Sequence, residues 1–192
     1  MSGPSNHAAR ALVVFESMFG NTERIARAVA ETLELHGYAV TTYDVADAAT
    51  PSGAIDADLV VVGAPTHAFS LSRPSTRADA VRQGADASKA RAGLREWLEA
   101  ATPASGRTIP ALAFDTRVEK VRRLPMAAGP RALRLAKHRG FDAPARAAAF
   151  LVTDTAGPLL DSEVARARSW ISSALGRVRP AATGAPGGEA RP

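Results

Sequence analysis

Ala11-Leu12-Val13-Val14-Phe15-Glu16-Ser17-Met18-Phe19-Gly20-Asn21-Thr22-Glu23 runs from an apolar stretch, through a short polar turn, into a helix start. Five apolar residues without alternation fit a strand covered on both faces. From Asn21 to Leu35 the apolar residues Ile25, Ala28, Val29 and Leu33 recur at helical spacing, and Gly37 follows as a C-terminal stop. A buried strand that turns tightly into an amphipathic helix is the opening unit of a layered α/β protein.

The same alternation continues outward along the chain. Tyr38 to Tyr43 is β-branched and aromatic and reads as a second strand. Asp58-Leu59-Val60-Val61-Val62-Gly63 is the clearest buried strand. Leu94, Trp97 and Leu98 mark a short helix, Ile109 to Phe114 a fourth strand, and Arg131 to Arg139 a helix ending at Gly140. Ala147 to Val152 is a fifth strand. Asp161 to Leu175 is a last helix, with a stripe of Val164, Ala167, Arg168, Ile171 and Leu175 and Trp170 nearby. The stretch from Ala64 to about Ala90, with Pro65, Pro74 and several serines, reads as one long loop, the kind that is usually functional or mobile.

Five strands alternating with helices predict a doubly wound five-stranded parallel sheet. The expected order is 2-1-3-4-5, with a ligand crevice at the carboxyl ends of the first and third strands. Residues 1–9 are expected to form a flexible head, 10–177 the folded domain, and 178–192 a disordered tail too poor in apolar groups to pack.

Composition narrows the chemistry. The 192 residues suffice for one domain with a full core. The absence of cysteine excludes disulfides, thiolate nucleophiles, zinc-thiolate sites and Cys-bound iron–sulfur clusters. His7, His36, His67 and His138 are scattered without ligand spacing, so no metal site is expected. No apolar run is long enough to span a bilayer, and the head lacks a secretory core, which together point to the cytoplasm. The net charge is +5 from 24 basic and 19 acidic residues. Only Lys89, Lys120 and Lys137 are lysines, so the basic residues are nearly all arginine, in an alanine-rich chain whose bias weakens a functional reading of charge. The excess gathers between Arg117 and Arg139, where eight basic residues face Glu119 alone. That segment could steer an acidic partner. Nucleic-acid binding is not expected, because the aromatic platform for single strands is missing.

The turn after Phe15 carries the site. Gly20 allows a tight turn and close backbone approach. The helix start behind it offers free N–H groups and the positive end of its dipole. Ser17 and Thr22 add hydroxyls and Asn21 an amide. This set suits a phosphate dianion without a lysine or arginine. It lacks the Gly-Lys-Ser/Thr of a Walker loop and the three glycines of a dinucleotide fingerprint. The plainer alternative is an ordinary N-cap by Asn21 or Thr22. A response-regulator receiver is excluded, since Gly63 and Ala64 follow the third strand where an Asp is needed, and Thr153 and Asp154 follow the fifth where a Lys is needed.

Ser17-Met18-Phe19-Gly20-Asn21-Thr22, set between strand and helix, resembles the phosphate-binding loop of flavodoxins. The resemblance spans about residues 10–176 and implies that these six residues hold the phosphate of FMN. Phe19 departs from the threonine common there. Gly63-Ala64-Pro65-Thr66-His67-Ala68-Phe69 is similar to the flavodoxin loop Gly-x-Pro-Thr-aromatic. By that likeness Pro65, Thr66, His67, Ala68 and Phe69 would pack against the isoalloxazine, with His67 where a larger aromatic often stacks. The loop after the fourth strand, Asp115-Thr116-Arg117, would meet the pyrimidine side of the ring. It lacks the tyrosine common in flavodoxins, since the last tyrosine is Tyr43. The resemblance implies an FMN-binding electron carrier rather than a stand-alone enzyme; flavodoxins usually dock basic partners, and the basic 117–139 segment, which inverts that sign, could instead dock an acidic redox partner. An NAD(P)H or quinone-type oxidoreductase on the same fold, or a flavin-free interaction domain, remains as an alternative. Nothing in the sequence sets the oligomeric state.

Overall fold

The computed structural model describes residues 8–47, 49–122 and 126–178. Most of the expected head and tail, and Arg123 of the basic segment, lie outside these residues.

Five strands form one parallel sheet: β1 (Arg10–Phe15), β2 (Ala39–Asp44), β3 (Leu59–Pro65), β4 (Ala111–Val118) and β5 (Ala148–Val152). Their spatial order is 2-1-3-4-5, as the strand–helix alternation predicts. The helices are α1 (Asn21–Leu35), α2 (Pro74–Arg82), α3 (Leu94–Ala100), α4 (Ala128–His138) and α5 (Glu163–Leu175).

Each face of the sheet has its own core, as burial of a parallel sheet on both sides requires. On one face Val13, Phe15, Val61, Leu112 and Phe114 pack with Ile25, Val29 and Leu33 of α1 and Ala167, Ile171 and Ala174 of α5. On the other, Leu12, Val14, Val60 and Val62 pack with Leu94, Trp97 and Leu98 of α3 and Ala128, Ala132 and Ala136 of α4. Phe114, Phe150 and Trp170 meet edge to face at 5.9–6.0 Å between ring centroids, an arrangement that adds about 1 kcal/mol per pair beyond burial. Gly63 makes room for this cluster, because a Cβ there would stand 2.1 Å from the Phe114 ring.

α1 begins and ends where its residues dictate. Gly20 is the N-cap in a left-handed conformation (φ 81°), and no side chain caps the helix. The plainer alternative, a cap by Asn21 or Thr22, is therefore not made. At the other end Gly37 takes φ 84° just past the C-cap, as expected of a helix-stopping glycine.

Two local expectations are overturned. The 64–90 stretch is not one loop: it contains α2 and a 3₁₀ turn at Ala87–Ala90. α2 starts on Pro74, its cap is closed by a bond from the Arg73 N–H to Thr76 Oγ1 (2.9 Å), and only Arg77 and Ala80 are buried along it. So mixed a helix shows no apolar stripe to read. In α5, Arg168 is not on the packed stripe; it points out and pairs with Glu31 of α1 at 2.7 Å, while Ala174 takes the inner position. A two-residue parallel ladder, Ala54–Ile55 with Thr102–Pro103, lies apart from the main sheet and is too short to announce itself by alternation.

The register brings the strand ends level. Phe15 pairs with Gly63, Gly63 with Phe114, and Pro65 with Thr116. The turn after β1, the end of β3 and the end of β4 therefore open on one edge of the sheet.

Candidate functional site

That edge holds a cleft of about 280 Å³. Its walls are Ser17, Met18, Phe19, Asn21 and Thr22 from the β1–α1 turn, Pro65, Thr66, His67 and Ala68 after β3, and Thr116 and Arg117 of β4. Eleven of the fourteen expected site residues thus meet around one opening. Gly20 does not line it but sets the turn that aims its neighbours.

Along the turn, no hydrogen-bond partner among the described residues serves the main-chain N–H groups of Met18 to Thr22; the first bond of the helix is Arg24 N–H to Gly20 C=O at 3.0 Å. Ser17 is buried, and its hydroxyl accepts the Glu23 N–H at 3.2 Å, curling the turn over the helix start. Thr22 is buried and shares a 2.8 Å hydrogen bond with the Thr116 hydroxyl, which ties the turn to β4. The Asn21 amide donates to the Ala156 C=O at 3.0 Å. It thereby fastens the loop after β5, where a Cβ on Gly157 would strike that amide at 2.6 Å. The result is a rigid arc of unsatisfied donors at a helix start, a site made for an anion.

The opposite wall is equally fixed. Asp115 is fully buried and does not line the cleft. Its carboxylate accepts from Arg117 Nε and Nη2 (both 2.6 Å), from Gly129 N–H (3.0 Å) and from the Thr66 hydroxyl (3.3 Å). Thr66 in turn accepts from Ala128 N–H at 3.0 Å. One carboxylate therefore locks the end of β3, the end of β4 and the start of α4 together.

Ala68 and Phe69 adopt positive φ (43° and 64°) in a tight reversal closed by two 2.9 Å bonds between His67 and Ser70. Phe69 is 41% exposed and does not line the cleft. His67 does face the cleft. Burial, and next the nearby Arg77, hold its pKa below the usual histidine value, so the neutral imidazole is favoured.

Sequence reasoning missed a third wall. Thr76, Asp79 and Ala80 of α2, Gln83 just past its end, Val118 of β4, Val152 of β5 and Thr155 after it complete the cleft. The signal was hidden because α2 lacked apolar periodicity. α2 is anchored from behind by Arg77, a buried residue whose guanidinium donates to Ser72 Oγ (2.9 Å) and to both oxygens of Glu96 (3.1 and 3.3 Å). Beside this group Glu16 is wholly buried, with one oxygen accepting Leu94 N–H at 2.9 Å and the other without a partner among the described residues. Burial pushes its carboxyl pKa up, against the opposing pull of Ser72, Leu94 N–H and Arg77. No cluster of His, Asp or Glu with metal-binding geometry, and no helix long and apolar enough to cross a membrane, occurs among the described residues.

Comparison with known proteins points the same way. Residues 13–93, which hold the β1–α1 turn and the loop after β3, match the family model described as flavodoxin. Oxidised Flavodoxin 1 from Bacillus cereus superposes with a TM-score of 0.60 at 15% identity, over 89% of this chain and all of that one. Flavodoxin 2 from Bacillus cereus gives 0.59 at 16% identity, over 88% of this chain and 99% of that one. A short-chain flavodoxin associated with a non-canonical PDU bacterial microcompartment gives 0.57 at 16%, over 89% and 99%. At this identity the structures establish the fold: a flavodoxin-like doubly wound sheet.

Proposed function

We propose, from a flavodoxin-family segment set in a flavodoxin-like fold, that the cleft binds FMN and that the protein serves in electron transfer. The observation that carries this reading is the arc of unpartnered N–H groups from Met18 to Thr22 at one end of the cleft. A phosphate bound there would satisfy donors the protein leaves open, helped by the dipole of α1. The Ser17 hydroxyl accepts the Glu23 N–H and so keeps its own O–H free to donate to an anion, while Thr22 and Thr116 share one hydrogen bond. The main-chain arc supplies the other donors, so a phosphate can be held without a hydroxyl at Phe19.

From that anchor a planar ring would lie between Pro65, Thr66, His67 and Ala68 on one side and Thr116 and Arg117 on the other. The flavin would supply the redox chemistry, and the chain orients it and sets its surroundings. A cleft of about 280 Å³ lies just below the usual size of ligand sites, roughly 300–1,000 Å³. It leaves part of such a ligand at the surface, which suits exchange of electrons with a docked protein. An acidic partner matches the exposed Lys120 and Arg122 after β4 and the exposed Arg131 and Arg134 of α4.

A second reading, an oxidoreductase acting on a small substrate, is favoured by one observation: α2 with its C-cap adds Thr76, Asp79 and Gln83 to the cleft as polar groups beyond what a phosphate and a ring require.

Titration with FMN and with riboflavin tests the first reading. FMN is expected to bind at least tenfold more tightly, an increment of about 1.4 kcal/mol from the phosphate. Equal and negligible binding of both overturns it. Oxidation of NAD(P)H by the isolated holoprotein, with a quinone or dye as acceptor, would move the assignment to the second.

A further inference from the structure

Arg117 is the one basic residue on the cleft wall among the described residues, and it is held there. Two of its nitrogens grip Asp115 at 2.6 Å, in the fork geometry that fixes a guanidinium plane. Its side chain is 12% exposed and that of Asp115 0%, so the carboxylate lies behind and the cation in front.

Which half of the cleft it serves follows from strand alternation. Thr116 points to the face of α1, where its hydroxyl meets Thr22 of the anion-binding turn. Its neighbours Asp115 and Arg117 must point to the opposite face. There the Asp115 carboxylate also takes Gly129 N–H of α4 and the hydroxyl of Thr66. Arg117 is therefore tied to the wall of Thr66 and α4, away from the arc of N–H groups that would hold the phosphate.

The carboxylate does not cancel this cation. Asp115 receives two further hydrogen bonds and sits at the N-terminal end of α4, whose dipole shares its negative charge. An oriented pair remains, with its positive end toward the cleft in a partly dry setting, where such a field is worth more than in water.

We infer that Arg117 stabilises negative charge developing on the pyrimidine side of a bound flavin ring, so that the site favours the fully reduced, anionic flavin. The inference rests on the FMN reading above. It makes Arg117 a residue that sets the reduction potential rather than a phosphate ligand, and it suits two-electron exchange better than a very low-potential relay.

Sulfite provides a test that does not depend on turnover. It adds its electron pair to N5 of oxidised flavin, forming an N–S bond, and the displaced pair is carried as negative charge on the N1–C2=O side. A cation there tightens the adduct. The holoprotein is expected to bleach its long-wavelength flavin band with sulfite. The double variant Asp115→Asn with Arg117→Gln keeps hydrogen-bonding groups and removes both charges. It should bind sulfite at least tenfold more weakly, and its two-electron midpoint should fall by about 30 mV for each tenfold change. Arg117→Lys should lie between the two. Melting curves identify any variant that has lost its fold, and the charge-neutral pair guards against leaving Asp115 buried alone. Folded, FMN-loaded variants with unchanged sulfite affinity and midpoint overturn the inference. So does a variant that loses affinity for FMN but not for riboflavin, which would make Arg117 a phosphate ligand. A wild-type protein that takes up neither flavin refutes the FMN reading itself, and the inference falls with it.

Discussion

At the scale of single residues, the two ends of the proposed site are held by different means, and substitution separates them. Thr22 is buried and joins the anion-binding turn to β4 through Thr116. Removing its hydroxyl breaks a buried hydrogen bond worth about 1 kcal/mol and loosens the donor arc at once. The His67 side chain lines the cleft and, among the described residues, is held only by the Thr76 main chain, not by the anion-binding turn or by β4. We expect Thr22→Ala to weaken FMN by about tenfold while changing riboflavin little, and His67→Ala to weaken both equally and by less than threefold. Fluorescence quenching titrations give the four constants. The reverse order would move the binding energy from the phosphate to the ring. Thr22, like Gly20 and Asn21, was legible in the sequence because small polar residues between a buried strand and a helix have few other uses. Asp115 and Phe69 were not. Whether a carboxylate faces a cleft or a helix start, and whether a phenyl ring turns in or out, depends on backbone direction that residue type does not encode.

At the scale of elements, a buried polar group decides where α2 stands. Arg77 on α2 reaches Ser72 and Glu96, and Glu16 at the end of β1 receives the first N–H of α3. Burial raises the Glu16 pKa above its ordinary value of 4.5. The folded protein thus keeps this proton at pH values where the unfolded chain has lost it. The group's contribution to stability is complete below pH 4.5 and fades as pH rises through the folded-state pKa. Glu16→Gln cannot ionise, yet retains a carbonyl oxygen for Leu94 N–H. Urea unfolding from pH 4 to pH 8 should show a flatter profile for the variant, which gains on wild type as pH rises toward 7. Identical slopes would place the Glu16 pKa at its ordinary value in the fold. The helix this group anchors is the element the sequence concealed. α2 has a polar outer side, a polar cleft side and a buried arginine, so neither of the usual apolar signals marks it. The long, strongly patterned α1 was legible to its end residues, because one stripe and two glycines bound it.

At the scale of the molecule, sheet order follows from the alternation of strands and helices, since right-handed crossovers leave few arrangements. The crevice at the switch point follows from that order. Charge distribution is the remaining whole-molecule property, and here the chain departs from the acidic surroundings that flavodoxin resemblance implies. Lys120 and Arg122 are exposed just after β4, and Arg131, Arg134 and Lys137 are exposed along α4, whose first residues bond to the cleft wall. If this field steers partners, reduced holoprotein should be oxidised faster by an anionic acceptor such as ferricyanide than by a cationic one of similar driving force. The advantage should shrink as ionic strength rises from about 0.01 to 0.5 M, because the screening length falls from about 30 Å to below 10 Å. An uncharged quinone should show no such dependence. Stopped-flow traces at each salt concentration give the slopes, with a tenfold advantage at low salt a reasonable scale for steering of this kind. Charged acceptors of both signs reacting with equal, salt-independent rates would reduce the basic segment to a solvated face and remove the ground for an acidic partner.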